Sequence, residues 1–128
     1  MAPPAFSSST SDLIRIIDLE VFANIGVPDE ERLKSQRLLI SLEMSTDSLP
    51  HAASTDNLIW AINYDDVIER VKNIIAKRPR KLLETLAEEM AFDLLKSLPI
   101  RKITLEIKKF IVPNTQYVSV KIERSHAP

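Results

Sequence analysis

The fold is decided by residues 80–95, which read RKLLETLAEEMAFDLL. Apolar residues recur there at helical spacing and predict one α-helix with a single apolar stripe, made of Leu83, Leu86, Ala87, Met90, Ala91, Leu94 and Leu95. Pro79 and Pro99 bound this helix, because proline disrupts a helix interior. Glu84 lies in the first turn, at the edge of the stripe. It is either an acid favoured by the helix dipole or a carboxylate aimed into a pocket, where it pairs with a planar nitrogen-rich ligand.

The composition around this helix indicates one soluble domain. The chain has 128 residues, of which 45% are hydrophobic, and this is enough for a real core. A net charge of -1 and a pI near 6.1 give no reason to expect nucleic acid or an anionic membrane as a partner. No apolar run approaches the length of a bilayer span, and residues 1–11 lack the features of a secretory signal. We expect a cytoplasmic protein with a flexible tail over 1–11, a domain over 12–124 and a C-terminal tail over 125–128.

Several kinds of site are excluded by residues that the chain lacks. Without cysteine there is no disulfide, thiolate nucleophile or sulfur-ligated metal. Only His51 and His126 are present, which argues against a histidine-based zinc site or a Ser/His triad. Gly26 is the single glycine, so glycine-rich phosphate-binding loops are absent. Acid–base chemistry must come from Lys, Tyr, Glu or Asp, and we expect no metal and no cofactor.

The remaining elements give the order ββααββ. Strands are predicted over 12–25, 36–45, 101–109 and 117–124, and a first main helix is predicted from Tyr64. In the first strand one face is expected to carry Leu13, Ile17, Leu19, Val21, Ala23 and Ile25, and the other Ile14, Ile16 and Phe22. Two helices on one face of a four-stranded antiparallel sheet make an α+β fold. A first strand that is apolar on both faces favours burial against a partner subunit, and the connection over 46–61 is expected to be irregular.

Lys109 has an unusual position in the third predicted strand. Ile103, Leu105 and Ile107 face one side, and Lys109 shares their parity, whereas Lys108 faces the other side. Lys109 therefore continues the buried face. It either extends its ammonium to solvent or is partly desolvated and exchanges protons near neutrality.

The connection between the two main helices is basic, with the sequence KRPRK at 77–81. It is either a solvated helix end with cations near the C-terminal carbonyls or a surface that attracts a phosphorylated substrate.

Five motifs in register resemble the dihydroneopterin aldolase family. They are IGVPDEER at 25–32 followed by Gln36, STDN at 54–57, Asn63-Tyr64, LLE at 82–84 and IKK at 107–109. The similarity covers about 12–124. The family has the tunnelling fold, in which four subunits close their sheets into a barrel, two rings stack into an octamer, and active sites lie between neighbouring subunits. This implied assembly, a tetramer or octamer of identical chains, agrees with the two-faced first strand.

The resemblance implies cleavage of 7,8-dihydroneopterin into 6-hydroxymethyl-7,8-dihydropterin and glycolaldehyde, a step in folate synthesis that needs neither a metal nor a Schiff base. By position, Glu84 would hold the 2-amino and N3 edge of the pterin beside the Leu83 backbone. Lys109 would deliver and remove protons around N5 through water, Tyr64 would handle the side-chain hydroxyl or the C6 substituent, and Glu31 would orient the trihydroxypropyl chain. The implied catalytic residues are Lys109, Tyr64 and Glu31, and the implied substrate-binding residues are Glu84, Leu83, Tyr64, Glu31 and Thr55.

The chain departs from the family pattern after Lys109, where members commonly have proline and this chain has Phe110. Dihydroneopterin triphosphate epimerase shares the fold and site, also lacks that proline, and inverts C2′ of a triphosphorylated substrate. The basic residues at 77–81 would suit that substrate. A non-catalytic pterin-binding ring of the same fold is the alternative from another class, although loss of Lys109 or Tyr64 would have favoured it.

Overall fold

Four antiparallel strands form one sheet in the computed structural model, which describes residues 12–126. They are β1 (Ile14–Ala23), β2 (Gln36–Ser45), β3 (Lys102–Lys109) and β4 (Val118–Ser125), and they lie in the order β1-β2-β3-β4. The bounds of β2 are as predicted, β1 is shorter at both ends, and β3 and β4 each begin one residue later. Ser125 belongs to β4, although it was predicted to lie in the C-terminal tail. The N-terminal tail predicted over 1–11 lies outside the described residues.

Two long helices cover one face of the sheet, as the sequence predicts. The helices are α1 (Asp29–Arg32), α2 (Leu49–Thr55), α3 (Tyr64–Lys77) and α4 (Leu83–Ser97). The predicted stripe of α4 is buried except for Leu95, which is partly exposed, and it packs with Val67, Val71, Ile74 and Ile75 of α3 on the sheet. Each fully buried aliphatic side chain contributes about 1.5–3 kcal/mol to this core. No helix within 12–126 is both long and apolar enough to span a membrane.

The faces predicted for the first half of β1 are wrong, because the strand contains a β-bulge. Pairing with β2 shifts by one residue between Ile16 and Leu19, and Asp18 there adopts a left-handed conformation with φ 55°. The extra residue reverses the alternation. Ile14 and Ile16 therefore pack against the core, whereas Ile17 is 53% exposed on the helix-free face. Two large apolar side chains, Ile17 and Phe22, are still exposed on β1.

The connection over 46–61, predicted as irregular, contains two short helices. Helix α2 has proline in its first turn, where a missing N–H costs no hydrogen bond, and its C-cap is Asp56, which is left-handed with φ 49°. A single 3₁₀ turn, Leu58–Trp60, follows and is capped by the Asn57 side chain, which accepts from the Ile59 N–H at 3.1 Å. These helices bring the chain from the end of β2 to Tyr64.

One member of the basic connection, Arg80, is buried and structural. Its guanidinium donates to the carbonyls of Ile74 at 2.9 Å and Arg78 at 2.8 Å, which caps the C-terminal end of α3. It also donates two hydrogen bonds to Oε2 of Glu89 in α4, at 2.8 and 2.6 Å. Burial raises the pKa of Glu89, but the hydrogen bonds and charges of Arg80 and Arg78 outweigh it and hold this pKa below its ordinary value. Arg80 thus fixes the end of α3 to α4.

Candidate active site

The most enclosed ion pair of the described chain joins Lys109 and Glu31. Lys109 Nζ lies 2.6 Å from Glu31 Oε2, and the two side chains are only 14% and 15% exposed. Lys109 is the last residue of β3, pairs with Leu38 of β2, and follows the buried Ile107 on the same face. The parity predicted for Lys109 is therefore correct, and its ammonium is shielded and paired rather than extended into solvent.

Gln36 and Gly26 surround the Glu31 carboxylate. Gln36, the first residue of β2, donates from Nε2 to Glu31 Oε2 at 3.1 Å and to the Ile25 carbonyl at 2.7 Å. Gly26 has φ +148°, and a Cβ built on it would lie 2.2 Å from Cδ of Glu31. Only glycine suits this position, because a side chain would be strained in the backbone and would occupy the place of the carboxylate.

Electrostatics keep Glu31 ionised. Its hydrogen bond with Lys109 and then that with Gln36 lower the pKa of the carboxyl below its ordinary value, against the opposing effect of burial. The cluster therefore contains a carboxylate next to an ammonium. Such a pair holds a proton donor and a hydrogen-bond acceptor side by side, which is suitable for moving protons on a bound substrate. No group of three or more acidic or histidine side chains in residues 12–126 is arranged to hold a metal ion.

Glu84 and Leu83 lie at the start of α4, next to the turn that carries Gly26. The Arg80 N–H donates to the Asn24 carbonyl at 3.2 Å, and the Gly26 N–H donates to the Arg80 carbonyl at 3.0 Å. These two hydrogen bonds hold the residues that precede α4 against the turn. Leu83 is buried and Glu84 is exposed, so the Glu84 carboxylate is accessible.

An open groove of about 490 Å³ runs beside this helix start. Its walls include Val27, Arg32, Pro79, Lys81, Leu82 and Thr85. The first N–H groups of a helix have no intrahelical partners, and Leu82 at the N-cap of α4 provides no side-chain cap for them.

Within residues 12–126, neither Tyr64 nor Thr55 forms a hydrogen bond or ion pair with Lys109 or Glu31. Arg80, which is hydrogen-bonded to the turn at Gly26, also donates to the Ile74 carbonyl near the end of α3. Tyr64 begins that helix, so it lies about 15 Å from Ile74 along the helix axis at 1.5 Å per residue. Thr55 ends α2, and its hydroxyl donates to the His51 carbonyl at 2.8 Å. Tyr64 is 58% exposed, and Thr55 is also exposed. One chain thus brings Glu31 and Lys109 together and places the start of α4 beside them, but it does not bring Tyr64 or Thr55 to them.

Two of the four cationic side chains in the basic connection are already paired with a carboxylate. Arg78 and Arg80 both form ion pairs with Glu89, and Arg80 is only 5% exposed. Lys77 and Lys81 are exposed and have no ion-pair partner within 12–126. The interpretation as cations near the C-terminal carbonyls of the first main helix is correct for Arg80. The sequence had no signal for its burial, because Glu89 lies in the next helix.

Comparison with known proteins identifies the family. The family model for dihydroneopterin aldolase matches residues 14–123. Dihydroneopterin aldolase of Bacillus subtilis is 35% identical over 114 residues, 88% of this chain and 94% of that protein. The enzyme of Haemophilus influenzae is 40% identical over 86 residues, 67% of this chain and 71% of that protein. The crystal structure of Escherichia coli dihydroneopterin aldolase in complex with neopterin is similar with a TM-score of 0.84 and 30% identity, and the match covers 89% of this chain and 99% of that one. The chain therefore belongs to the dihydroneopterin aldolase family.

Proposed function

We propose that this protein cleaves 7,8-dihydroneopterin into 6-hydroxymethyl-7,8-dihydropterin and glycolaldehyde. The observation that carries the proposal is the shielded Lys109–Glu31 pair, with Nζ and Oε2 2.6 Å apart, beside the helix start that presents Glu84. Family membership supports it, and a 30% identical relative of known structure holds neopterin. The compartment we propose is the cytoplasm, which suits a chain without cysteine.

The proposed reaction moves only protons and electron pairs, with no change of oxidation state that needs an external oxidant or reductant. The C2′ hydroxyl loses its proton, the C1′–C2′ bond breaks, and C2′ leaves as the aldehyde carbon of glycolaldehyde. The pair of the broken bond forms a C1′=C6 double bond, the π pair of the C6=N5 imine moves to N5, and N5 takes up a proton, which gives an enamine. C1′ then takes up a proton and N5 releases one, which restores the imine in the product. The substrate supplies its own electron acceptor, so the protein needs acid–base groups in the right places.

Glu84 and Leu83 are the residues we assign to the pterin ring. A carboxylate accepts two parallel hydrogen bonds from a planar edge with two N–H donors, which is what the 2-amino and N3 positions offer. The exposure of Glu84 at the start of α4 supports this assignment. The pairing also gains from the place of Glu84 in the first turn, where the helix dipole favours a negative charge.

Lys109 is the group we assign to proton transfer at N5, through a water molecule. The Lys109 ammonium is mostly shielded and is held by the Glu31 carboxylate, so its orientation is fixed. Proton transfer over a short distance requires such a fixed orientation. Glu31 would orient both Lys109 and the hydroxyls of the trihydroxypropyl chain. Tyr64 would bind the hydroxyl at C2′ or C1′, and Thr55 would contact the pterin ring.

We assign the complete site to two chains, because neither Tyr64 nor Thr55 contacts Lys109 or Glu31 through a hydrogen bond or ion pair within residues 12–126 of one chain. We propose that the edge strands β1 and β4 of neighbouring chains pair, so that four sheets close into a barrel and two such rings form an octamer. Exposed apolar side chains support the association: Phe22 on β1 is 59% exposed, and Ile59, close in sequence to Tyr64, is 75% exposed. The connection over 46–61 would then bring Tyr64 and Thr55 of one chain to Lys109 of another.

Purified protein incubated with 7,8-dihydroneopterin tests the proposal. We expect release of glycolaldehyde in amounts equal to the pterin product. The same measurement with dihydroneopterin triphosphate, together with detection of the C2′ epimer, separates the aldolase from the epimerase. Pterin binding without either product would instead identify a non-catalytic ring and would overturn the proposal.

A further inference from the structure

Gln36 connects the backbone of one turn to the Glu31 carboxylate. Its side-chain nitrogen donates to the Ile25 carbonyl at 2.7 Å and to Glu31 Oε2 at 3.1 Å, and it is partly buried. The same oxygen, Oε2, lies 2.6 Å from Lys109 Nζ. The contacts therefore form one chain, which runs from the Ile25 carbonyl through the Gln36 amide and the Glu31 carboxylate to the Lys109 ammonium.

The orientation of the Gln36 amide is determined by its two partners. A backbone carbonyl and an ionised carboxylate only accept hydrogen bonds. The amide NH₂ group has two donors and satisfies both, whereas its oxygen would face two acceptors and be repelled. Gln36 therefore has one orientation. Because it is the first residue of β2, its amide fixes Glu31 Oε2 relative to the start of that strand.

We propose that Gln36 is a positioning residue, which holds the Glu31 carboxylate in the one place where it orients Lys109 and the substrate side chain. This inference rests on the proposed aldolase function. Glutamate has three rotatable side-chain bonds, and a single contact with a flexible lysine leaves several conformations open to it. The second contact, from an amide anchored on Ile25, removes them.

The surroundings of Glu31 leave this task to Gln36. Among residues 12–126, Lys109 is the charged group that contacts its carboxylate, from β3. Arg32, its neighbour in α1, is directed elsewhere: its guanidinium donates to the carbonyls of Gly26 and Val27 and pairs with Asp29. Gly26 contributes free space and no hydrogen bond to the carboxylate.

Gln36→Met tests the inference, because it keeps the length of the side chain and removes both donors. We expect kcat for glycolaldehyde release to fall about tenfold, since a hydrogen bond to a charged group is lost. Affinity for 6-hydroxymethylpterin, which lacks the trihydroxypropyl chain, should stay at the wild-type level, because Gln36 acts on the side-chain end of the site. The acid limb of the pH profile should move to higher pH, because Gln36 helps to lower the pKa of Glu31. Lys34→Ala, an exposed change two residues away, is the matched control and should alter none of these.

Gln36→Glu gives a second measurement, in which the same shift should be larger. A carboxylate in place of the amide repels the Glu31 carboxylate, so the acid limb should move further in the same direction than it does with methionine. Thermal unfolding of each variant identifies those that fold. A folded Gln36→Met protein with wild-type kcat, or with lower kcat and an unmoved acid limb, overturns the positioning role. Inactive wild-type protein would instead overturn the aldolase proposal itself, so the two failures are distinguishable.

Discussion

Glu31 Oε2 lies 2.6 Å from Lys109 Nζ, so the one-turn helix α1 and the end of the central strand β3 share one shielded ion pair. The pKa of Glu31 is lowered from its ordinary value of 4.5, first by Lys109 and then by Gln36. A group with a lowered folded pKa stabilises the native state above its unfolded pKa, and this contribution is lost as the pH falls through the folded value. The same contact thus orients the ammonium and adds stability at neutral pH.

Replacing Lys109 with alanine separates proton transfer from binding. We expect Lys109→Ala to lower turnover about a hundredfold or more, the usual range for a lost general acid–base group. Affinity for a pterin analogue should fall much less, because Glu84 lies on another element. Lys108→Ala is the matched control: this lysine points to the other face, where its ammonium pairs with Asp18 at 3.0 Å. A larger loss of turnover with Lys108→Ala than with Lys109→Ala would contradict the assignment.

Glu84→Gln should weaken pterin binding. The amide loses the charge-assisted pair and presents a donor to the donors of the pterin edge, which costs about 2–4 kcal/mol of binding free energy in a desolvated site. Calorimetric titration with 6-hydroxymethylpterin measures it. Glu88→Gln, one turn further along α4, removes an exposed carboxylate that pairs with Arg124 and should leave the affinity unchanged. Equal affinities of the Glu84 and Glu88 variants would leave Glu84 as an ordinary acid of the first helical turn.

The buried Arg80 should be far more sensitive to substitution than Arg78, although both pair with Glu89. Arg80→Lys keeps the charge but loses the planar set of donors that reaches the carbonyls of Ile74 and Arg78, and we expect a loss of about 2 kcal/mol in the free energy of unfolding. Arg78→Lys changes a half-exposed pair and should cost less than about 1 kcal/mol. Urea unfolding at one protein concentration compares them, and similar losses would refute the role given to Arg80.

The sheet, the two long helices and the parity of Lys109 could be predicted because they depend on local periodicity. Alternating apolar residues determine β2 and β3, and the stripe of α4 repeats at helical spacing. The bulge at Asp18 could not be predicted in this way. It is stabilised by partners on other strands, the Ser41 hydroxyl at 2.9 Å from the Asp18 N–H and the Lys108 ammonium, and it has no glycine to mark it.

The site was predicted residue by residue through the family resemblance, and its internal contacts were not. Glu31 and Lys109 are far apart in sequence, and their pairing depends on the turn at Gly26 and on the register of β2 with β3. Gln36 had a place in the motif but no role, because its contacts with Ile25 and Glu31 depend on the folded turn. The burial of Arg80 was missed for a similar reason, since its partner Glu89 lies on the facing helix.

A mixture of two inactive variants tests whether the site lies between chains. Lys109→Ala and Tyr64→Phe each remove one proposed catalytic group, and each homo-oligomer should be nearly inactive in glycolaldehyde release. If Lys109 of one chain meets Tyr64 of another, random co-assembly restores both groups in about a quarter of the sites, and about a quarter of wild-type activity returns. If both groups acted within one chain, no mixed oligomer would contain an intact site. Co-expression with two different affinity tags isolates the mixed oligomer, whose size should be a multiple of four chains, and its inactivity or a stable monomer would refute the shared site.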